Sequence, residues 1–388
     1  MRCEAGGADW RRVPLGSVAT VERAGVSPAR IAEGTRYVGL EHIQPDGSVD
    51  EAPDVSPGDL ASTKFRFTVE HLLYGKLRPY LRKVARPKFG GVCSTDILPI
   101  RPGPDLDRDY LFHCLRQPSL VDLVNSRTPG ANLPRIAPGK LAAIRIPLPP
   151  LPEQRRIATI LDKADAIRRK RQESLALLDE LLRSTFLEMF GDPVRNERGW
   201  AVVRLGEVAK VRRGSSPRPI HDFMGGTIPW IKIGDATAAP GMYIDHTAEF
   251  VTAAGAEKSV LLEPEAVVIA NSGVSLGFAR ILKIRGCIHD GWLAVEDLDS
   301  SVNRFFFVAL VNVITDRLRK SAPAGTQPNL NIGLVRDLRI PRPPLELQER
   351  LAAVIDTHAG VRVALGRSSL RADGFFRSLS QRAFQGQL

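Results

Sequence analysis

"RIPLPPLPEQRRIATILDKADAIRRK", residues 145–170, decides how the rest of the chain is divided. It predicts the end of a strand and then a stiff extended segment, because proline fixes φ and disfavours helix in the residue before it. A helix is predicted from Glu153 onward. The stretch "RIPRPPLELQERLAAVIDTHAGV" at 339–361 repeats the same order of features. The hinge and its helix therefore occur twice.

The repetition extends over the whole chain of 388 residues. "WRRVPLGSVATVERAG" at 10–25 returns as "WAVVRLGEVAKVRRGS" at 200–215, and "DYLFHCL" at 109–115 is matched by "RFFFVAL" at 304–310. The matched stretches keep their order and lie 190 to 196 positions apart. A fixed period of this kind indicates two copies of one structural unit.

Each copy combines a globular part with a long helix. Short alternating apolar runs separated by Gly and Pro predict an α+β domain with short strands. We predict domains at 1–150 and 191–344 and helices at 151–190 and 345–388, so that two tandem globular domains are separated by two long helices. The apolar run at 305–314 contains Asn312 and is too short for a membrane span, so a buried helix is predicted there.

The helices carry apolar residues at spacings of three and four, which is typical of an amphipathic helix. Neither stripe can be buried by one small domain, so we expect the helices to pack as an antiparallel coiled coil that relates the domains by a pseudo-two-fold axis. The alternative is that each helix packs on its own domain. Gly360, Gly366 and Gly374 predict that the second helix is weaker or broken in places. The predicted coiled-coil positions are Ile157, Leu161, Ala164, Leu175, Leu178, Leu182, Leu351, Val354, Ile355, Val361 and Leu365.

Composition indicates a polyanionic partner and a reducing compartment. Lys and Arg total 54 against 43 Asp and Glu, an excess that favours nucleic acid. The four cysteines are scattered without CxxC spacing, which argues against disulfides or a zinc site. The N-terminus lacks the apolar core of a signal peptide, so a cytoplasmic protein without a membrane contact is expected.

Sequence motifs for chemistry are lacking. The sequence has no GxxxxGK[ST] loop, no GxGxxG after a strand and no HExxH. "CIHD" at 287–290 groups three polar side chains, and strand packing explains it better than a ligand set. We therefore predict no catalytic residues and no metal site.

A basic run in the first copy is the predicted nucleic-acid contact. Eight Lys and Arg residues lie between Lys64 and Lys88, opposed only by Glu70 and interleaved with aromatic residues. Such clusters neutralise phosphates, and arginine also reads guanine. A solvated basic face is the alternative. The predicted contacts are Lys76, Arg78, Tyr80, Arg82, Lys83 and Arg127.

The second copy carries different residues at the matching positions. "IANSGVSLG" stands where the first copy has "YGKLRPY", so the two domains are expected to read different bases. Gln327 and Asn329 have the chemistry to pair with adenine edges, although polar loop residues are also common turn-formers. The predicted contacts here are Lys232, Asn271, Ser272, Arg319, Lys320, Thr326, Gln327 and Asn329.

These stretches resemble a known family. "IPLPPLPEQRRIATILDKADAIRRKR", "LYGKLRPYLRKV" and "GTQPNL" are similar to motifs of the specificity (S) subunits of Type I restriction–modification systems. The resemblance covers essentially the entire chain. It implies two target recognition domains, each reading one half of a bipartite double-stranded DNA site, and helices that set the unspecified spacer.

The resemblance also implies partners. Two modification (M) subunits would dock on the helices and methylate adenine with S-adenosylmethionine, and restriction (R) subunits would add cleavage driven by ATP with Mg. This chain itself would hold no cofactor and would not be an enzyme. The rival hypotheses are a coiled-coil scaffold without specific DNA reading and a stand-alone DNA-modifying enzyme.

Overall fold

The protein is described from a computed structural model that covers residues 10–128, 133–238, 241–321 and 329–388. Its contacts divide it into two compact units, which we describe separately. The first unit comprises Met1–Lys170 and Leu370–Leu388, and the second comprises Arg171–Ser369.

The first unit is built on short strands in three sheets. Its strands are β1 (Arg12–Pro14), β2 (Ala19–Val21), β3 (Gly25–Val26), β4 (Thr35–Val38), β5 (Asp54–Val55), β6 (Lys64–Phe67), β7 (Leu72–Gly75), β8 (Val84–Ala85), β9 (Gly91–Cys93), β10 (Ile97–Pro102) and β11 (Arg145–Pro147). The sheet orders are β1-β11, β2-β10-β7-β8 and β3-β6-β9-β4-β5. The β1–β11 pair joins the start of the chain to the strand before the hinge.

The second unit repeats this plan. Its strands are β12 (Ala201–Arg204), β13 (Lys210–Arg213), β14 (Met224–Ile231), β15 (Tyr243–Ile244), β16 (Glu249–Val251), β17 (Val260–Leu262), β18 (Val267–Ala270), β19 (Ala279–Leu282), β20 (Gly286–Ile288), β21 (Trp292–Glu296) and β22 (Arg339–Arg342). The sheet orders are β12-β22, β13-β21-β18-β19-β15 and β16-β14-β20-β17. Both units contain a parallel pair, β4–β9 in one and β14–β20 in the other, within otherwise mostly antiparallel sheets.

Short helices cover the sheets. They are α1 (Arg108–Leu115), α2 (Pro118–Ser126), α3 (Pro138–Ala142), α5 (Leu205–Val208), α6 (Ile233–Ala238), α7 (Ala253–Glu257), α8 (Arg304–Val313), α9 (Thr315–Ser321) and α10 (Ile332–Arg336). The buried helix predicted near 305–314 is α8, with Phe306 and Phe307 fully buried. The predicted α+β class is confirmed.

Two helices of 40 residues each complete the structure, α4 (Leu151–Phe190) and α11 (Leu345–Phe384). The expectation that α11 is broken in places is wrong, because it is continuous through Gly360, Gly366 and Gly374. A Cβ at any of the three would meet nothing within 4 Å, so these glycines lie on open faces of the helix. Packing of the opposite face compensates for their low helix propensity.

A glutamine fixes each hinge. The Gln154 side chain is fully buried; its Oε1 accepts a hydrogen bond from the backbone N of Asp107 at 2.8 Å, and its Nε2 donates to the carbonyls of Asp105 and Pro149. Because buried backbone groups must be paired, this side chain holds the first turn of α4 against the loop before α1.

In the first unit, the start of α4 packs against the end of α11. Ile157 and Leu161 have no exposed surface and share a core with Ala383, and Leu379 packs against that core. Arg168 lies 3.9 Å from Asp373. The early residues of one helix therefore meet the late residues of the other.

In the second unit, the end of α4 meets the start of α11. Phe186 and Phe190 lie in one core with Leu351 and Ile355. The His358 ring Nε2 lies 2.8 Å from the carbonyl oxygen of Leu178. Within each unit the helices thus run in opposite directions, as predicted.

The predicted coiled-coil positions differ in burial. Ile157, Leu161, Ala164, Leu351 and Ile355 are buried, whereas Leu175, Leu178, Leu182 and Leu365 are half-buried. Val354 and Val361 are 39% and 44% exposed, so they face away from the seam. The buried positions are those that also pack into a globular core, so packing between the helices and packing on the domains coexist.

Candidate nucleic-acid interface

In the first unit, the loop between β7 and β8 is joined to the segment before α3. The Arg78 backbone N donates to the Pro134 carbonyl at 2.8 Å, and the Ile136 backbone N donates to the Lys76 carbonyl at 3.0 Å. Leu77 and Arg135 form an isolated β-bridge. The structure therefore brings together "YGKLRPY" and residues 134–136, which follow "PGAN" at 129–132. Residues 129–132 lie outside the described residues.

This loop holds two arginines in a left-handed backbone conformation. Arg78 has φ 50° and Arg82 has φ 53°, on either side of a 3₁₀ turn at Pro79–Leu81. Residues other than glycine are strained at such φ values, and backbone strain of this kind is concentrated at binding sites. Tyr80 and Leu81 are 50% and 42% exposed. The loop presents aromatic, apolar and cationic side chains to solvent together.

The other basic residues of the run have different environments. Lys76 lies 3.6 Å from Asp96, and the Lys83 Nζ donates to the Leu40 carbonyl at 2.5 Å. Lys64 is 7% exposed. Arg127 is exposed and stands apart from the loop in sequence, near the end of α2. The predicted contacts at Arg78, Tyr80 and Arg82 thus have exposed side chains, whereas Lys83 is held by the protein itself.

Arg86, at the end of the run, faces α4. Its guanidinium donates two hydrogen bonds to Asp162, at 3.1 and 2.8 Å, and lies 3.1 Å from Asp109. The buried His113 Nε2 lies 2.8 Å from Asp162 Oδ1. Burial alone would raise the pKa of Asp162, but the hydrogen bonds from His113 and Arg86 hold it well below its usual range. This cluster fastens α4 to the first globular domain.

The second unit repeats the joining of loop and segment. The Leu330 backbone N donates to the Asn271 carbonyl at 2.8 Å, and Ser272 forms an isolated bridge with Asn329. Asn329 is the last residue of "GTQPN" and Leu330 follows it, much as 133–136 follow "PGAN" in the first unit. Thr326 and Gln327 lie outside the described residues.

The residues predicted to contact DNA in this unit differ in their exposure to solvent. Asn271 is fully buried, and its Nδ2 donates to the Asp290 carbonyl at 2.9 Å, so this amide fixes the loop and does not face solvent. The Arg319 Nε donates to the Leu276 carbonyl at 3.2 Å, while Lys320 is exposed. Ser272 is half-buried, and the Lys232 Nζ lies 2.5 Å from Glu249.

A cavity of about 810 Å³ opens near the Asn271 loop. Its lining includes Arg218, His221, Trp230, Lys232, His289 and Asp290. Arg218 lies 3.4 Å from Asp290, and burial lowers the pKa of His289. Sequence analysis set His289 and Asp290 aside as strand packing, and no local signal distinguishes them. Across the described ranges, no group of His, Cys, Asp and Glu is arranged to hold a metal ion.

Comparison with protein families identifies the chain. The family model for the Type I restriction modification DNA specificity domain matches residues 79–177 and 197–367. The chain belongs to this family. The first matched segment lies mostly in the first unit, and the second lies within the second unit. Within the described ranges, no helix is both long enough and apolar enough to cross a membrane.

Curated relatives of this specificity-domain chain are specificity subunits of Type I restriction enzymes. The EcoDI subunit of Escherichia coli is 30% identical over 40% of this chain and 36% of its own length. The MjaIX subunit of Methanocaldococcus jannaschii is 24% identical over 66% and 63%, respectively. A putative MjaX subunit of the same organism is 23% identical over 89% of this chain and 85% of its own. The chain thus spans about a third to two thirds of the length of the first two relatives.

Solved structures share the fold. A chain from a study of complex assembly and conformational transition of the type I R-M system is 22% identical, with a TM-score of 0.61 and 98% coverage of both chains. The S subunit from M. genitalium is 16% identical, with a TM-score of 0.58 and coverage of 99% and 98%. Two such domains with two long helices are therefore a shared architecture.

Proposed function

We propose that the chain is the sequence-recognition subunit of a Type I restriction–modification complex and is not itself an enzyme. Each unit would read one half of a bipartite double-stranded DNA site. The observation that carries this is an isolated β-bridge between a loop and a later segment in both units, Leu77 with Arg135 and Ser272 with Asn329. Two loops that are bridged in the same way but carry different side chains are suited to two different half-sites.

The charge of the loops supports DNA as the ligand. Arg78, Arg82 and Lys320 are exposed beside these segments, and exposed cations of this kind neutralise phosphates. Tyr80 adds a planar side chain able to pack on sugar or base. The buried Asn271 and the hydrogen-bonded Lys83 would hold the loops in position. The exposed side chains would contact the DNA.

The helices are proposed to set the spacer and to carry two modification subunits, with restriction subunits as further partners in the cytoplasm. In this proposal S-adenosylmethionine, ATP and Mg belong to the partners. Its support is that α4 contributes Ile157 to a core of the first unit and Phe186 to a core of the second. A helix anchored at both ends is suited to fix a distance.

A domain exchange tests the proposal. Residues 1–147 would be replaced by the equivalent segment of a relative, which keeps β1 and β11 from the same parent. The full-length hybrid would be co-expressed with its modification subunit, and methylated adenines would be mapped. One half-site is expected to change while the other stays. A change in both halves refutes the assignment of one domain to each half, and a site unchanged by the exchange favours the scaffold hypothesis.

Insertion of one heptad into 157–182 tests the role of the helices. The spacer is expected to change while both half-sites are kept, because the recognition loops are untouched. If an insertion variant still methylates DNA but its spacer is unchanged, the helices do not set the spacer. The assignment of one domain to each half-site would then still stand.

A further inference from the structure

A second cavity, of about 360 Å³, lies within the second unit between β19, α8, α4 and α11. Most of its wall is apolar. The apolar lining includes Leu182, Phe186, Met242, Phe278, Val313 and Ile355. A volume of this size and an apolar wall are typical of small-molecule sites.

A half-buried arginine lies in this apolar wall. The Arg280 guanidinium lies 3.5 Å from the centre of the Phe278 ring, and it donates one hydrogen bond, to the Ala279 carbonyl at 3.1 Å. Its Nε is buried without a hydrogen-bond partner among the described residues. Burial, and then the charge of Arg362, lowers the pKa of Arg280 to about 9, so the side chain is still a cation at neutral pH. A desolvated cation is costly unless it is paired and hydrogen-bonded, and the carboxylate that acts on Arg280, that of Asp179, pairs directly with Arg362.

A second arginine adds to the positive charge of the cavity wall. Arg362 of α11 pairs with Asp179 of α4, and its Nε is also buried without a partner in the described part of the chain. Arg183 also lines the cavity, and Asp179 is the acidic residue among the lining side chains. The lining therefore carries net positive charge, with donors left unused.

The first unit shows what balances such a cluster. Positions on α4 and α11 that are 194 apart correspond, so Arg168 matches Arg362 and Asp165 matches Ala359. In the first unit Asp165 is 2% exposed and lies 2.7 Å from Arg168 and 3.3 Å from Arg169. In the second unit Ala359 lines the cavity instead. Where one unit has a built-in carboxylate, the other has a methyl group and space.

We propose that this cavity binds a small organic anion, a carboxylate carried on an apolar group. The carboxylate would pair with Arg280 and Arg362, as the Asp165 carboxylate forms ion pairs with Arg168 and Arg169 in the first unit. The apolar group would lie against Phe186, Met242 and Phe278.

The remaining polar groups of the wall favour a simple ligand. The Asn312 side chain accepts from and donates to the backbone of Ala279, and the Thr315 hydroxyl donates to backbone carbonyls. Neither is left to recognise a nucleobase or a sugar. The site draws on no residue proposed to contact DNA, so it stands independently of the recognition function.

The ligand would join three parts of the second unit, because its two arginines lie on β19 and α11 while Asp179 and Phe186 lie on α4. A ligand that binds the folded state stabilises it by mass action. Binding is therefore expected to raise the unfolding temperature in a saturable way.

The test uses the full-length chain with 3-phenylpropionate as the probe and 3-phenylpropanamide as its neutral isostere. Thermal unfolding and calorimetric titration should show saturable binding of the acid and binding of the amide that is weaker by about tenfold or more, as expected for loss of charge-assisted hydrogen bonds. No saturable binding of the acid, or equal binding of the amide, overturns the proposal.

Two variants locate the site. Ala359→Asp supplies the carboxylate present in the first unit, so it should abolish binding while raising the unfolding temperature of the free protein. Arg280→Gln should weaken binding by about tenfold or more. Ala353→Asp, an exposed position on the same helix, is the matched control and should bind as the wild type does. Acid binding that persists unchanged in Ala359→Asp overturns the assignment, even where Arg280→Gln fails to fold.

Discussion

The Gln154 side chain accepts a hydrogen bond from the backbone N of Asp107, and the Asp107 side chain in turn accepts from the first backbone N–H groups of α1. The second unit repeats the arrangement 194 to 196 positions on. Gln348 Oε1 accepts from the backbone N of Asn303, its Nε2 donates to the carbonyls of Ser301 and Pro343, and Asn303 caps α8. The hinge is thus a polar joint that connects a long helix to the cap of a core helix.

Removing this joint should destabilise the chain. Gln154→Ala leaves the Asp107 N–H and two carbonyls buried without partners, and we expect a loss of about 2–4 kcal/mol in the free energy of unfolding. Gln348→Ala should cost a similar amount in the second unit. Urea unfolding measures both. Gln172→Ala, at an exposed position of α4, is the control and should change stability by less than about 0.5 kcal/mol. Equal effects at positions 154 and 172 would contradict the role of the joint.

The glycines of α11 offer a stabilising change. Alanine at Gly360, Gly366 or Gly374 adds a Cβ that meets nothing within 4 Å, so each change should stabilise the protein by about 0.5–1 kcal/mol through helix propensity.

Gly191→Ala is the contrasting control. This glycine follows α4 at φ +75°, where alanine is strained, so stability should fall by about 1 kcal/mol. The denaturant midpoints of Gly191→Ala and of the three α11 variants measure these changes in stability. A loss of stability at the α11 positions would show that close packing there excludes a side chain.

Sequence analysis predicted the architecture because repetition and helical periodicity are local signals. The two hinges, the long helices and α8 could be read from spacing alone. The sequence did not show whether the helix predicted at 345–388 is continuous at its three glycines, because the packing that holds α11 comes from residues far away in the chain.

The contacts that individual basic residues make could not be predicted from the sequence either. Lys83 and Arg82 are neighbours of the same charge, yet the Lys83 amine binds the carbonyl of Leu40 while Arg82 is exposed. Arg86 looked like part of the DNA-binding run, but its partner Asp162 lies 76 positions further along, on α4. Contacts of this range depend on tertiary structure, which residue type and spacing do not encode.

The His113–Asp162 contact predicts a pH dependence. Burial lowers the pKa of His113, against the opposing effect of Asp162. As the pH falls, the unfolded chain takes up this proton first, at about 6.5, so the stabilisation is complete above that pH and declines below it. The free energy of unfolding should therefore fall by up to about 1 kcal/mol between about pH 7.5 and 5.5.

The variant His113→Gln isolates this contribution. Glutamine keeps a donor near Asp162 but does not titrate, so its stability should vary less over the same pH range. The pKa of Asp162 is itself lowered, so the stabilisation from its carboxylate is complete above the unfolded pKa of about 3.9 and is lost only at lower pH. Asp162 therefore adds no pH dependence between about pH 7.5 and 5.5. Urea unfolding of both proteins at three pH values is the measurement. Parallel pH profiles would assign the dependence to other groups.

The exposed arginines of the first loop should set the salt dependence of DNA binding. Each phosphate contact contributes about 0.9 to the slope of log affinity against log salt. The double variant Arg78→Gln and Arg82→Gln should therefore lower the slope by about 2 and weaken binding most at low salt. Glutamine replaces arginine at the same left-handed backbone positions, so the strain of the loop is unchanged.

Arg30→Gln is the matched control, since Arg30 is exposed in the same unit but lies outside the loop. The complex with the modification subunit would be titrated onto its DNA site at several salt concentrations. A single substitution at Arg30 should leave the slope as in the wild type if binding is confined to the recognition loop. A slope that falls equally per charge removed at Arg30 and in the loop would mean that the net positive charge of the unit attracts DNA without a defined contact at Arg78 and Arg82.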